Sequence, residues 1–297
     1  MPWTEFDIPD QTGRVAVVTG ANTGIGFETA RALARSGARV TIGCRNPERG
    51  KAAEARLREL APEGEVHFES LDLGSLKSVE SFAKAVSERE DQLDVLCNNA
   101  GVMMPPYGET DDGFETQIGT NHLGHFALTS GLLDLLKSAP APRVVAVSSL
   151  AHFWGRIDFD DLQSRKRYNA TLAYGQSKLA NLLFMRELQR RFEQAGVRGI
   201  VAGAHPGSTN TELQRHSRLM HGIVAMYSQA PADGALPTLY AATAPDIDGG
   251  EYFGPSGAFG MTGPPGPARS SGASKDMAVA ARLWSVSEEL AGLKFAF

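Results

Sequence analysis

The chain has 297 residues, 42% hydrophobic and 21% charged, and its formal net charge of -5 is spread along the sequence rather than blocked into tails. That composition is ordinary for a soluble globular protein and lacks the basic stripe of a nucleic-acid binder. No apolar run approaches the roughly 18 residues a membrane span needs, and MPWTEFDIPDQ has neither the basic nor the apolar region of a signal peptide, so a cytoplasmic protein is expected. Cys44 and Cys97 sit in apolar strand-like runs without metal or redox spacing and read as buried free thiols of a reducing compartment.

From the N-terminus, short β-branched runs alternate with amphipathic windows, the pattern of βαβ units building a parallel sheet. Strands are predicted at 14–19 (RVAVVT), 39–44 (RVTIGC), 65–69 (EVHFE), 93–97 (LDVLC), 143–148 (RVVAVS) and 199–204 (GIVAGA). Helical windows fall near 25–36, 47–60, 75–89, 112–137 and 171–195, with Ser75 as an N-cap and Gly37 and Gly196 as stops. Past residue 205 the alternation weakens, and 254–274 reads as a Gly/Pro/Ser-rich loop before a last helix near 276–291. An α/β fold of this length is expected to form a single domain, 1–297, with the C-terminal third as the wall of a site carried by the sheet.

The first strand runs into TGANTGIG (19–26), which holds Gly20, Asn22, Thr23, Gly24, Ile25 and Gly26 in a turn that opens a helix. Small residues let a backbone approach a pyrophosphate, and the amides of a helix N-terminus attract anions. The second strand ends in Arg45, with no Asp or Glu at 43–46. A guanidinium there suits a ribose 2′-phosphate, which favours NADP(H) over NAD(H), the alternative being a solvated surface arginine. LDL (71–73) places Asp72 and Leu73 at the third strand's exit, where a carboxylate can accept from an adenine amino group. CNNAG (97–101) places Asn99, Ala100 and Gly101 after the fourth strand, Asn98 and Asn99 serving either a ligand or the turn itself.

In AYGQSK (173–178), Tyr174 and Lys178 stand four positions apart and so share one helix face. With TGANTGIG, CNNAG, VSS and YGQSK in that order, the chain resembles the short-chain dehydrogenases/reductases over nearly its whole length. SSLAHFWGRIDFDDLQ, YNATLAYGQSKLANLLF and AHPG are similar to the retinol-dehydrogenase-like branch, which includes protochlorophyllide-reductase relatives.

The resemblance implies a Rossmann fold, a doubly wound seven-stranded parallel sheet with helices on both faces. Residues 14–150 would form mainly the cofactor-binding half, and 151–297 the catalytic helix and substrate-binding elements. It implies transfer of a hydride between NADP(H) and a carbonyl or alcohol of a hydrophobic small molecule. An adjacent cation favours the phenolate, so Lys178 is expected to ready Tyr174 for proton exchange at neutral pH. Tyr174 then acts as general acid in reduction and as base in oxidation. Ser149 is expected to hydrogen-bond the substrate oxygen, Ser148 to tether backbone, and Asn121 to hold a water linking the lysine to solvent or, alternatively, to cap a helix kink. Pro206, Gly207 and Thr209 would lie near the carboxamide, and Thr211 near the pyrophosphate. Residues 152–168 read as an insertion beside the substrate entrance, and 216–231 as either a lid or a core-facing helix. A homodimer or homotetramer through the long fourth and fifth helices is implied. The chain begins almost at the first strand, without the hydrophobic N-terminal anchor of many eukaryotic members, so membrane residence is not expected.

Other readings fit less well. Ser149 and His152 lack the G-x-S-x-G elbow of a hydrolase, and His122 and His125 lack a third metal ligand, so no metal is expected. His205 is read as satisfying a local hydrogen bond. A non-catalytic NADP-binding sensor would be expected to have lost Tyr174 or Lys178. A nucleotide-sugar epimerase or dehydratase more often carries a G-x-x-G-x-x-G turn.

Overall fold

In the computed structural model, residues 2–209 and 229–297 are described. They form a doubly wound α/β architecture of Rossmann type around one sheet, with strand order β3-β2-β1-β4-β5-β6-β7-β8. The strands are β1 Val15–Thr19, β2 Arg39–Cys44, β3 Glu65–Ser70, β4 Val95–Asn98, β5 Arg143–Val147, β6 Ile200–Ala204, β7 Tyr252–Pro255 and β8 Pro265–Pro267. The first seven run parallel, and β8 pairs antiparallel with β7. The sheet thus has one more strand than expected, because part of the predicted 254–274 loop is strand. Proline has no N–H to donate, and Pro265 and Pro267 are tolerated in β8 because it lies at the sheet edge.

Successive strand residues point to opposite faces, and in the inner strands both faces are dry. Val15, Val17, Leu96 and Val144 join the core under α3 (Leu76–Arg89), α5 (Gly124–Gly131) and α7 (Ala170–Gln194). Ala16, Val18, Cys97 and Val145 join the core under α1 (Gly24–Arg35), α2 (Pro47–Leu60) and α8 (Pro231–Thr243). This two-sided burial explains why the strands read as continuous apolar runs. Cys44 and Cys97 are buried free thiols, and burial pushes them up to about 11 and about 12.

Three departures from the sequence reading bear on function. The window 112–137 is broken into α4 (Thr116–Ile118), a π-turn (Gly119–Leu123), α5 and α6 (Leu133–Ser138). Ser75 precedes α3 as expected, but the cap is supplied by Asp112 Oδ2, which accepts from the Leu76 N–H at 2.7 Å. Helix α8 lies in the third that looked irregular; Pro231 opens it, and an internal Pro237 weakens its signature.

Helix α9 (Met277–Ala291), expected near 276–291, lies across α7, whose residues 173–185 are wholly buried. Trp284 of α9 meets Phe126 at 4.9 Å and Phe184 at 5.9 Å between ring centroids, Phe295 packs against Trp284 at 4.4 Å, and Ser287 hydrogen-bonds His122 Nε2 at 2.8 Å. The helix expected to carry a subunit interface is therefore covered by the chain's own C-terminus. Among the described residues, no helix is long and apolar enough to cross a membrane.

Candidate active site

Strand order reverses between β1 and β4, and a cleft of about 540 Å³ opens at the carboxyl ends of the strands there. Its floor is the glycine turn. Gly20 and Gly24 have φ of 67° and 60°, left-handed values that favour glycine. A Cβ on Gly26 would stand 2.5 Å from both Asn99 Nδ2 and Gly20 O, so the turn closes only without one. Thr23 precedes α1 but its hydroxyl caps no amide, which leaves the first N–H groups of the helix facing the cleft for an anion. The residues present therefore fit a dinucleotide pyrophosphate.

Asn22, Thr23, Ile25, Arg45, Asp72, Leu73, Ala100, Gly101 and Pro206 line the same cleft. Arg45 is exposed and, among the described residues, makes no hydrogen bond or ion pair. Asp72 Oδ1 accepts from the Gly74 N–H at 2.9 Å, so one carboxylate oxygen shapes the strand exit. Asn99 borders the cleft, yet its amide donates to Thr19 O at 2.8 Å, so the side chain holds β4 to β1. Gly207 and Thr209 do not line the cleft. Gly207 has φ 67° with no room for a Cβ against Met261 O, and Thr209 Oγ1 donates to Pro206 O at 2.9 Å; both shape the β6 exit. Thr211 and the proposed lid through residue 228 lie outside the described residues.

At the far end, α7 brings Tyr174 and Lys178 to the cleft, both buried. Burial pushes the Tyr174 phenol up to about 12, outweighing the lowering influence of the nearby Ser149 hydroxyl. Burial also brings the Lys178 ammonium down to about 8. Lys178 Nζ lies 5.7 Å from the Tyr174 ring centroid and donates to Val147 O at 3.2 Å. Within the protein alone, burial thus opposes the lowering that the neighbouring Lys178 was expected to exert on the phenol. Ser148 Oγ donates to Lys178 O at 2.7 Å, the expected backbone tether. Ser149 Oγ accepts from the Ala151 N–H at 3.2 Å, beside the Tyr174 hydroxyl and just outside the cleft lining.

Asn121 lies behind the lining, within the π-turn. Its Oδ1 accepts from the Val102 N–H at 2.8 Å, and its Nδ2 donates to Val102 O at 3.0 Å and to Ser177 Oγ at 2.9 Å. Its side chain therefore clamps the loop after β4 to α7, a role distinct from the helix-kink cap that the sequence offered as the alternative. A Cβ on Gly101 would stand 3.1 Å from Asn121 Oδ1 and 3.4 Å from Lys178 Nζ, so that loop must pass close to both. Asn121→Ala should lower unfolding free energy by about 2–3 kcal/mol, the cost of stranding these buried partners. A urea midpoint unchanged from wild type would refute the clamp.

Burial holds His122 at about 3, His125 at about 4 and His205 at about 4, so all three rings are neutral. His125 Nδ1–H donates to the Asn121 carbonyl at 3.0 Å, which leaves Nε2 to accept from Thr19 Oγ1 at 2.9 Å. That hydroxyl in turn accepts from the Asn99 and Ala100 amides, both at 2.9 Å. His205 Nδ1 accepts from the Gly207 N–H at 3.3 Å, the local role expected. His152 donates through Nδ1 to the Ser149 carbonyl at 2.6 Å and not to its hydroxyl, so it cannot serve Ser149 as a base. Among the described residues no group of His, Cys, Asp or Glu is set to hold a metal.

Sequence reasoning missed Met103, Pro105, Thr116 and Thr120, which also line the cleft. The loop after CNNAG had no strand or helix signal to place it, and Thr116 lies just before, and Thr120 within, a π-turn that helical periodicity does not reveal.

Residues 14–222 match the short chain dehydrogenase family. Retinol dehydrogenase 12 of Mus musculus is 44% identical over 297 residues, covering 98% of this chain and 90% of that one. The crystal structure of an uncharacterised protein from Mycobacterium paratuberculosis superposes with a TM-score of 0.85 at 46% identity, covering 100% of both chains. A short chain dehydrogenase from Shigella flexneri 2a str. 301, complexed with NADP, superposes with a TM-score of 0.67 at 25% identity, covering 83% of this chain and 98% of that one. The chain belongs to the short-chain dehydrogenase/reductase family, in its retinol-dehydrogenase-like branch, and is an oxidoreductase enzyme.

Proposed function

We propose that this enzyme is an NADP(H)-dependent carbonyl reductase whose substrate is a hydrophobic small molecule. The observation that carries the reading is a protonated, buried phenol, Tyr174, with the Ser149 hydroxyl beside it, at the end of a cleft whose other end is an uncapped glycine turn. Reduced nicotinamide supplies the hydride. Tyr174 gives its proton to the oxygen on which negative charge develops, Ser149 donates a hydrogen bond to that oxygen, and the Lys178 ammonium stabilises the charge left on the phenol. Run in reverse, the same groups oxidise an alcohol. Asn121 keeps the loop after β4 against α7 so that these groups stay aligned. Val102, Met103 and Pro105 give the cleft an apolar wall, in keeping with the retinol dehydrogenase relative.

Gly20, Gly24, Gly26 and the start of α1 would hold the pyrophosphate, and Arg45 the 2′-phosphate. Support for NADP(H) comes from the exposed Arg45 side chain, which pairs with no group among the described residues, and from the NADP-bound Shigella relative. Arg45→Glu should weaken NADPH binding by about 10–100-fold, as loss of a charged hydrogen bond does, and leave NADH nearly unchanged. Fluorescence titration of both cofactors reads this out; NADH favoured by the wild type would overturn the assignment. Oxidation of NADPH by a panel of aldehydes, ketones and quinones tests the activity itself.

A further inference from the structure

The apolar wall beside Tyr174 contains a strained residue. Met104 has φ 51°, a left-handed value that a long L side chain rarely adopts. Its neighbours on either side, Met103 and Pro105, both line the cleft, while Met104 itself does not. Such a conformation persists only where the surroundings impose it.

Two side chains impose it. Gln117, fully buried on α4, accepts from the Met104 N–H through Oε1 at 2.8 Å. Its amide nitrogen donates to Tyr168 Oη and to Ala170 O, each at 3.0 Å. Tyr168 Oη in turn donates to Pro105 O at 2.7 Å. Every donor and acceptor of the Gln117 amide and of the phenol is thus engaged, and together they grip the loop at the N–H of Met104 and the carbonyl of Pro105. Tyr168 ends the 152–168 segment, which is itself pinned to α7: Gln176 accepts from the Asp158 N–H at 2.9 Å and donates to Leu162 O at 3.0 Å. Tyr107 closes over Tyr168 edge-on, with ring centroids 5.3 Å apart.

We propose that Gln117 and Tyr168 form a latch that fixes the Met103–Met104–Pro105 wall and thereby sets the size of carbonyl compound the cleft accepts. Both are positioning residues, since they reach the substrate space only through this loop. The specificity half of the proposal rests on the reading that a carbonyl is reduced in this cleft.

The test uses full-length protein with NADPH, and propanal and decanal as small and large aldehydes. Tyr168→Phe should leave the NADPH Kd and propanal turnover within about twofold while raising the KM for decanal at least ~10-fold. Adding Met104→Asn, a residue that tolerates the left-handed region, should restore the decanal KM to within about threefold of wild type. Hydrogen exchange decides the latch independently of turnover. In Tyr168→Phe the Met104 amide should exchange at least ~10-fold faster and slow again in the double variant. The Val102 amide, held by Asn121, should not change. Unaltered Met104 exchange, equal acceleration at Val102, or equal losses with both aldehydes would overturn the latch. A wild type that oxidises NADPH with no carbonyl compound would sink the proposed activity alone, and the exchange result would still stand for or against the latch.

Discussion

Tyr174→Phe will cut carbonyl reduction by at least the ~10²-fold typical of a lost general acid, with NADPH affinity within about twofold of wild type. The separation is sharp because the ring and the hydroxyl do different jobs. Phenylalanine keeps the buried ring in place, and the glycine turn at the other end of the cleft does not touch it. What is lost is a proton held on the phenol up to about 12. Single-turnover kinetics with NADPH should show the hydride-transfer step slowed and cofactor binding intact. Full activity in the variant would dismiss Tyr174 as the acid.

Lys178→Met will raise stability and lower turnover together. The ammonium is buried and its pKa falls from 10.5 in the unfolded chain to about 8 in the folded one. A group whose folded pKa is depressed in this way binds more protons unfolded, so stability increases with pH between about 8 and 10.5. Below that window the buried cation costs about 3 kcal/mol, and methionine, of similar length and without charge, removes the cost. No acceptor is stranded, because Val147 O keeps the Asn181 amide at 3.0 Å. The variant should therefore exceed wild type in urea stability at pH 7, and the two should converge near pH 10.5. Carbonyl reduction by wild type should decline as pH rises through about 8, a limb the variant lacks, since Tyr174 remains protonated across that range. A variant less stable than wild type at pH 7 would show that the cation is better solvated than its burial implies.

Much of this architecture is legible in the residues themselves. β1, β2, β4, β5 and β6 are buried on both faces, so each announces itself as an apolar run, and β3 shows as an alternation of Val66 and Phe68 with polar residues, whereas YFGP and PGP are too short and too rich in Gly and Pro to register. The glycine turn is readable because left-handed φ values and absent Cβ atoms demand glycine at fixed spacing, and the Tyr174–Lys178 pair is readable because helical geometry fixes what lies one turn away. Electrostatics did not follow from spacing. Proximity in sequence says that a cation stands beside a phenol, but only the tertiary structure shows that burial opposes its effect. The partners of Asn121 at Val102 and Ser177 were hidden for a related reason: they lie 19 and 56 positions away. Gln117 and Tyr168 carry no motif, and their importance comes from a loop strained at a third residue.

The packing of α9 and the C-terminal phenylalanines over α7 has a bearing on quaternary structure. With residues 173–185 already enclosed by the same polypeptide, a second copy could dock on that helix only by stripping Trp284 and Phe295 from the aromatic cluster they complete. The stretch of α7 that carries Tyr174 is thus packed from within its own polypeptide.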